Sequence, residues 1–174
     1  MKWNESFQSE TEPPASSEEI LEFTKTVFAP LTRDEVRELE VEHKRSVGGG
    51  HWDPPFDPST WVLPSHPLPE SYLSFLRYSN GGFFAGENRD FDPLFSTREV
   101  RDYLLGYSIP HWMSGVCPIG FDGGGTFYLL DMREPPVEDD YPVLFAGSGA
   151  LSFDDAEVVG ASFAILVESA LGQN

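Results

Sequence analysis

One cysteine, Cys117, is all the sequence contains, so no internal disulfide can staple the chain. It sits in the apolar run Val116-Cys117-Pro118-Ile119, where a small buried side chain is the economical reading. Cations are scarce: 11 Lys and Arg face 29 Asp and Glu, for a formal net charge of −18, and none follows Arg133. This balance disfavours nucleic acid and anionic membrane as partners and favours attraction to a basic protein, although acidity also serves solubility alone. No run approaches the roughly 18 apolar residues that a membrane helix needs. The residues after Met1, Lys2-Trp3-Asn4-Glu5-Ser6, are polar where a secretory leader is apolar. The expected location is cytoplasmic.

Patterns that carry chemistry are also missing. His43, His51, His66 and His111 lack short ligand spacing, and the pair His51-Trp52-Asp53 has no third ligand nearby. Neither a metal nor a cofactor is expected. The glycines Gly123–Gly125 are not followed by Gly-Lys-Ser/Thr and do not have the spacing of a dinucleotide fold. Asp122 beside them would repel an anion, so they read as a hairpin turn. Gly147-Ser148-Gly149 is not a nucleophile elbow and reads as a flexible turn. Glu138-Asp139-Asp140, between Pro135-Pro136 and Pro142, reads as a solvated loop without the oxygen repeat of a calcium site. Many carboxylate pairs arise by chance among 29 acids, and none is singled out. The chain is not expected to be an enzyme.

Aromatic residues are abundant, at 14 % of the chain and led by 14 Phe. A chain of 174 residues suits one domain, which would bury roughly 70 % of its unfolded surface. Residues 1–17, with few apolar side chains and Pro13-Pro14, read as a flexible arm before a domain over 18–174. A helix is expected from Ile20 to Phe28, capped by Ser17 and stopped by Pro30. A second opens at Thr32, where Thr32 and Glu35 have capping-box spacing, and ends by Gly48. The proline- and aromatic-rich stretch 48–67 can be neither helix nor central strand and reads as a packed surface loop.

A largely buried helix follows, with Pro69 in its first turn and Asn80-Gly81-Gly82 as its stop. Phe83 and Phe84 then enter a strand or a packed loop. Another helix spans 96–105, with Ser96 or Thr97 as cap, and His111-Trp112-Met113 form a loop or short turn. Strands fit 116–121 and 126–131, the second apolar on both faces and therefore central. A third fits 142–145, a short edge element fits Val158-Val159, and an apolar helix fits 161–171. The fold class is α+β, a mainly antiparallel sheet packed with helices.

Two of these segments resemble the hallmarks of one family. Leu68-Pro69, Tyr72, Phe75-Leu76 and Asn80-Gly81-Gly82 resemble the first hallmark helix of the SUKH superfamily. Pro118-Ile119-Gly120-Phe121-Asp122-Gly123-Gly124-Gly125-Thr126-Phe127-Tyr128-Leu129-Leu130-Asp131 is similar to its strand, Gly-rich turn and strand ending in Asp. Residues 96–105 match the intervening helix, and Ser162-Phe163-Ala164-Ile165-Leu166 match the closing one. The sequence departs from the pattern in the 48–67 loop and in Thr126, where Asp is frequent after the glycines. The resemblance implies the fold of the yeast cell-wall assembly regulators of the Smi/Knr type and of many bacterial immunity proteins. It implies a non-enzymatic binding module, and specifically an immunity protein that neutralises a cognate toxin by covering it. A basic toxin domain is the partner this implies. A housekeeping regulatory or scaffold interaction protein of the same fold is the alternative. A monomer is expected.

A protein-binding surface combines exposed aromatics with charge. The candidates are Trp52, Phe56 and Trp61 in the loop, Phe83 and Phe84 after the glycines, Trp112, and the acids Asp90, Asp92 and Asp122. The competing reading for each aromatic is that it caps the core. Asn80 and Asp131 read as scaffold.

Overall fold

The strand–turn–strand unit at 116–131 forms the middle of a seven-stranded sheet in this computed structural model, which describes residues 8–47 and 55–172. The strands are β1 (Gln8–Thr11), β2 (Gly82–Ala85), β3 (Asp90–Leu94), β4 (Val116–Phe121), β5 (Thr126–Asp131), β6 (Val143–Gly147) and β7 (Glu157–Gly160). They lie side by side in chain order, each antiparallel to the next. The helices are α1 (Ser17–Thr26), α2 (Arg33–Val47), α3 (Glu70–Tyr78), α4 (Glu99–Gly106), α5 (Ile109–Trp112) and α6 (Phe163–Ala170). The chain is thus a single α+β domain with an antiparallel central sheet packed by helices.

Strand alternation sends neighbouring residues to opposite faces, and both faces of the central strand β5 are covered. Phe127 meets Phe95, Phe121 and the α4 residue Tyr103, together with Tyr107 just beyond that helix. Its neighbour Tyr128 turns to Phe91 and Phe145. Phe91 pairs in register with Phe84, and Phe84 packs edge-on against Phe75 of α3 at 5.4 Å. Phe163 of α6 joins Tyr72 and Phe75 on that side. The doubly apolar pattern of β5 therefore has the cause inferred for it: there is no wet face for polar residues to occupy.

Four expectations need correction. Residues 8–11 fall in the stretch read as a flexible arm, yet they form an edge strand on β2. Gln8-Ser9-Glu10-Thr11 shows no apolar alternation because backbone groups carry the attachment. The next residues are anchored too, by Ala15 N–H to the Leu76 carbonyl (2.9 Å), Asn80 N–H to the Pro13 carbonyl (3.3 Å) and Glu12 N–H to the buried Ser79 hydroxyl (3.0 Å). Gly82, at φ 122°, admits this passage: a Cβ there would lie 2.5 Å from the Glu10 carbonyl oxygen. Second, the cap of α1 is Ser16 rather than Ser17, and Glu19 completes the box. Third, Pro69 is the cap of α3 and stands just before its first turn. Fourth, His111-Trp112 belong to a one-turn helix, α5. β3 has no counterpart among the expected elements, because Pro93 argues against a strand.

The Thr32–Glu35 box forms as its spacing indicates, and its acid has a second task. Glu35 receives Nε and Nη2 of Arg101, from α4, at 2.9 and 3.2 Å. Arg101 Nη1 also donates to the carbonyls of Thr26, Val27 and Ala29 at 3.1, 2.9 and 3.0 Å, at and just beyond the end of α1, where carbonyls lack helical partners. One guanidinium thus ties α1, α2 and α4 together. The Arg101 hydrogen bond holds the Glu35 carboxyl down at about 2, against 4.5 ordinarily. A carboxyl depressed in the folded state stabilises above its unfolded value and loses that contribution as pH falls towards its folded value. The stability gap between wild type and Glu35→Gln should therefore be full above pH 4.5 and close between pH 4.5 and 2. For a carboxylate that keeps part of its contact with water, the gap is about 1–2 kcal/mol. Urea titrations of both proteins across that window check it; a gap unchanged at the acid end would contradict the assignment.

Candidate functional site

The structure sorts the candidate residues into two groups on different elements. The first gathers at α2, the proline-rich loop and α5. The loop turns through a short 3-10 helix (Pro58–Thr60) capped by the Asp57 carboxylate, which accepts from Ser59 N–H at 3.1 Å and Ser59 Oγ at 2.6 Å. This turn sets Phe56 and Trp61 edge to face, with ring centroids 5.5 Å apart. His43 of α2 stacks on Phe56 at 4.0 Å, and His111 of α5 lies 5.8 Å from Phe56 and 6.4 Å from Trp61. Trp112 meets His111 edge-on at 4.4 Å and is 38 % exposed. Burial, and next the proximity of His43, push the His111 imidazole below its ordinary pKa, which favours a neutral ring in this setting. Beside Trp61 runs an apolar groove of about 660 Å³ walled by Phe28, Val36, Leu63 and Pro64. Trp52 lies outside the described residues.

The second group lies on β2, β3 and the turn after β4. Phe84 is only 2 % exposed and belongs to the core, so it cannot be a contact residue. Phe83 and Phe84 are equivalent in sequence and differ only in the face the strand gives them, which is why the expected exposure of Phe84 fails. Phe83 is half-buried opposite Glu10 of β1. Asp90 and Asp92 are exposed at alternate positions of β3. Asp122 works within the turn, accepting from Gly124 N–H at 2.7 Å and Thr126 N–H at 2.9 Å. Partial burial pushes its carboxyl up, but the donors of Thr126 and Gly124 outweigh this and the net shift is downward. Arg89 lies over the rings of Tyr128 and Phe145, 5.9 and 5.1 Å from their centroids, in a hollow that Asp90 and Asp122 also line.

The two residues read as scaffold have that role. Asn80 binds Thr97 through both ends of its amide, at 2.8 and 3.2 Å, and so locks the stop of α3 to the approach of α4. Asp131 accepts Nε and Nη2 of Arg133 at 2.8 and 2.7 Å. That guanidinium lies 3.8 Å from the centre of the Phe153 ring.

Asp140 overturns the solvated-loop reading for one of the three acids at 138–140. It is buried, and its carboxylate accepts Ser71 Oγ of α3 at 2.7 Å, Tyr141 N–H at 2.8 Å and Phe163 N–H of α6 at 3.5 Å. No local signal distinguishes it from Asp139, because the donors it serves come largely from remote segments.

Chemically, the arrangement offers aromatic and apolar faces bordered by acids. Among the described residues, no three His, Cys, Asp or Glu side chains converge as metal ligands, and no helix is long and apolar enough to cross a membrane. Cys117 is buried in β4, and burial pushes its thiol far up, away from nucleophilic use.

Residues 64–169 match the family model described as the SMI1 / KNR4 family (SUKH-1). No curated protein matches the chain. The matched stretch runs from the end of the proline-rich loop into α6 and includes Trp112 and the acids of the second group. Phe56 and Trp61 precede it.

Proposed function

The chain belongs to the SMI1 / KNR4 family (SUKH-1), and on that premise we propose that it is a cytoplasmic immunity protein that neutralises a basic toxin domain by direct one-to-one binding. The observation that carries this reading is the aromatic group of Phe56, Trp61 and Trp112, joined by His43 and His111 outside the central core. Tryptophan supplies large contact area at little cost in side-chain freedom and anchors many protein interfaces. The formal charge of −18 supports a basic partner, since opposite charge speeds encounter. The resemblance to the family's immunity members supports the choice of a toxin.

The test is titration calorimetry with the toxin domain encoded beside this gene. Trp61→Ala with Trp112→Ala should weaken binding about 30-fold or more, the size of an interface hot spot. Association should slow as salt rises. The unfolding midpoint of the same variant separates contact from folding. Unchanged affinity per folded molecule would refute the aromatic surface. Absence of a toxin neighbour, together with stable capture of one cellular regulatory protein, would move the reading to the housekeeping alternative.

A further inference from the structure

Between β5 and β6 the chain makes a narrow reverse turn. Val137 and Asp140 exchange both backbone hydrogen bonds, at 3.0 and 3.1 Å, and Glu138 and Asp139 at its tip have φ 52° and 62°. A two-residue turn with both central residues in the left-handed region favours Asn-Gly; glutamate is a poor choice there. This tip forms one wall of a groove of about 410 Å³ whose other wall is the first turn of α6. The apolar lining is exposed: Val137 is 75 % and Ile165 50 % accessible, with Ala164 beside Ile165 on the α6 wall. The rim carries Glu138, Asp139 and Glu70, the last of them bridged to Arg77.

We infer that this groove docks a segment of the protein partner that presents a lysine or arginine beside an apolar residue. The inference rests on the protein-binding reading above and deepens it by locating a second contact. Three observations select the occupant. Glu138 and Asp139 put two negative charges on the rim beside the Glu70–Arg77 pair, and no Lys or Arg follows Arg133 in the chain. The start of α6, which would otherwise attract an anion, is already served by the Asp140 carboxylate at Phe163 N–H. The exposed Val137 and Ile165 match the aliphatic stem of a basic side chain whose head reaches the rim.

The turn supplies a variant that should not fail by unfolding. Glu138→Asn with Asp139→Gly suits the backbone better than the native pair and removes both charges. The probe is a short synthetic helical peptide with lysine on one face and leucine on the other, titrated into the isotope-labelled full chain and followed by amide shifts. Residues 137–140 and 164–165 should shift together and saturate. The double variant should bind about tenfold more weakly while unfolding at a higher temperature than wild type. A peptide with glutamate in place of lysine should not bind. Shifts that fail to saturate, that centre on α2, or that persist at equal affinity in the double variant would overturn the inference. Shifts centred instead on Phe56, Trp61 and Trp112 would also overturn it, while leaving the proposed function standing.

Discussion

Arg101→Ala is expected to lower the free energy of unfolding by about 3 kcal/mol, toward the lower end of what breaking a largely desolvated ion pair costs. The guanidinium side chain is 18 % exposed and its partner Glu35 28 %, so the pair is shielded more than a surface bridge but is not sealed. Its removal leaves Glu35 without its charged partner and withdraws the donor from Thr26, Val27 and Ala29. The effect should also be regional. Arg101 belongs to α4 but bonds Glu35 of α2 and the carbonyls at and just beyond the end of α1, so its loss should loosen the amino-terminal helices from the rest of the domain. Hydrogen exchange should quicken in α1 and α2 well before β4 and β5. Arg101→Lys should recover less than half of the loss, because a single ammonium cannot span a carboxylate and three carbonyls. A destabilisation below about 1 kcal/mol would reduce the cluster to an ordinary surface pair.

Asp140→Ala should cost a similar amount, about 3 kcal/mol, by a different route. Here the acid is buried, and its loss strands the Ser71 hydroxyl and the N–H groups of Tyr141 and Phe163. The start of α6 also loses its compensating negative charge. Asp140→Asn keeps an acceptor for the two N–H groups, and its amide can donate to Ser71 if the hydroxyl rotates, so it should cost about 1 kcal/mol. Denaturant unfolding of the two variants separates hydrogen bonding from charge. Equal losses would mean that charge dominates; negligible loss in both would show that water replaces the carboxylate.

Elements with a strong period are legible in the amino-acid pattern itself. α3 and α6 show their apolar faces there, β4 and β5 their runs and turn, and α2 its capping box. β1 and β3 do not show. β1 is attached through backbone groups, which every residue carries alike, and β3 contains a proline that ordinarily argues against a strand. The candidate surface is half legible for a related reason. Sequence marks aromatic side chains but not the face that receives them, so Trp112 and Phe84 look alike although one is at the surface and the other in the core. Asp140, Arg101 and the exposed pair Val137 and Ile165 gain their roles from segments far away in sequence. Local composition around Asp140 even points the wrong way.

Because every strand from β3 onward pairs with the one made just before it, the sheet can grow in the order of synthesis. Each new pairing after β2 closes a loop of modest length, which favours rapid assembly. β1 is the exception: it waits for β2, some seventy residues later by register, and so must remain unpaired while α1, α2 and α3 emerge from the ribosome. The exposed Glu10 and Thr11 of this edge suit that wait, since a charged, polar strand offers little for another nascent chain to grasp.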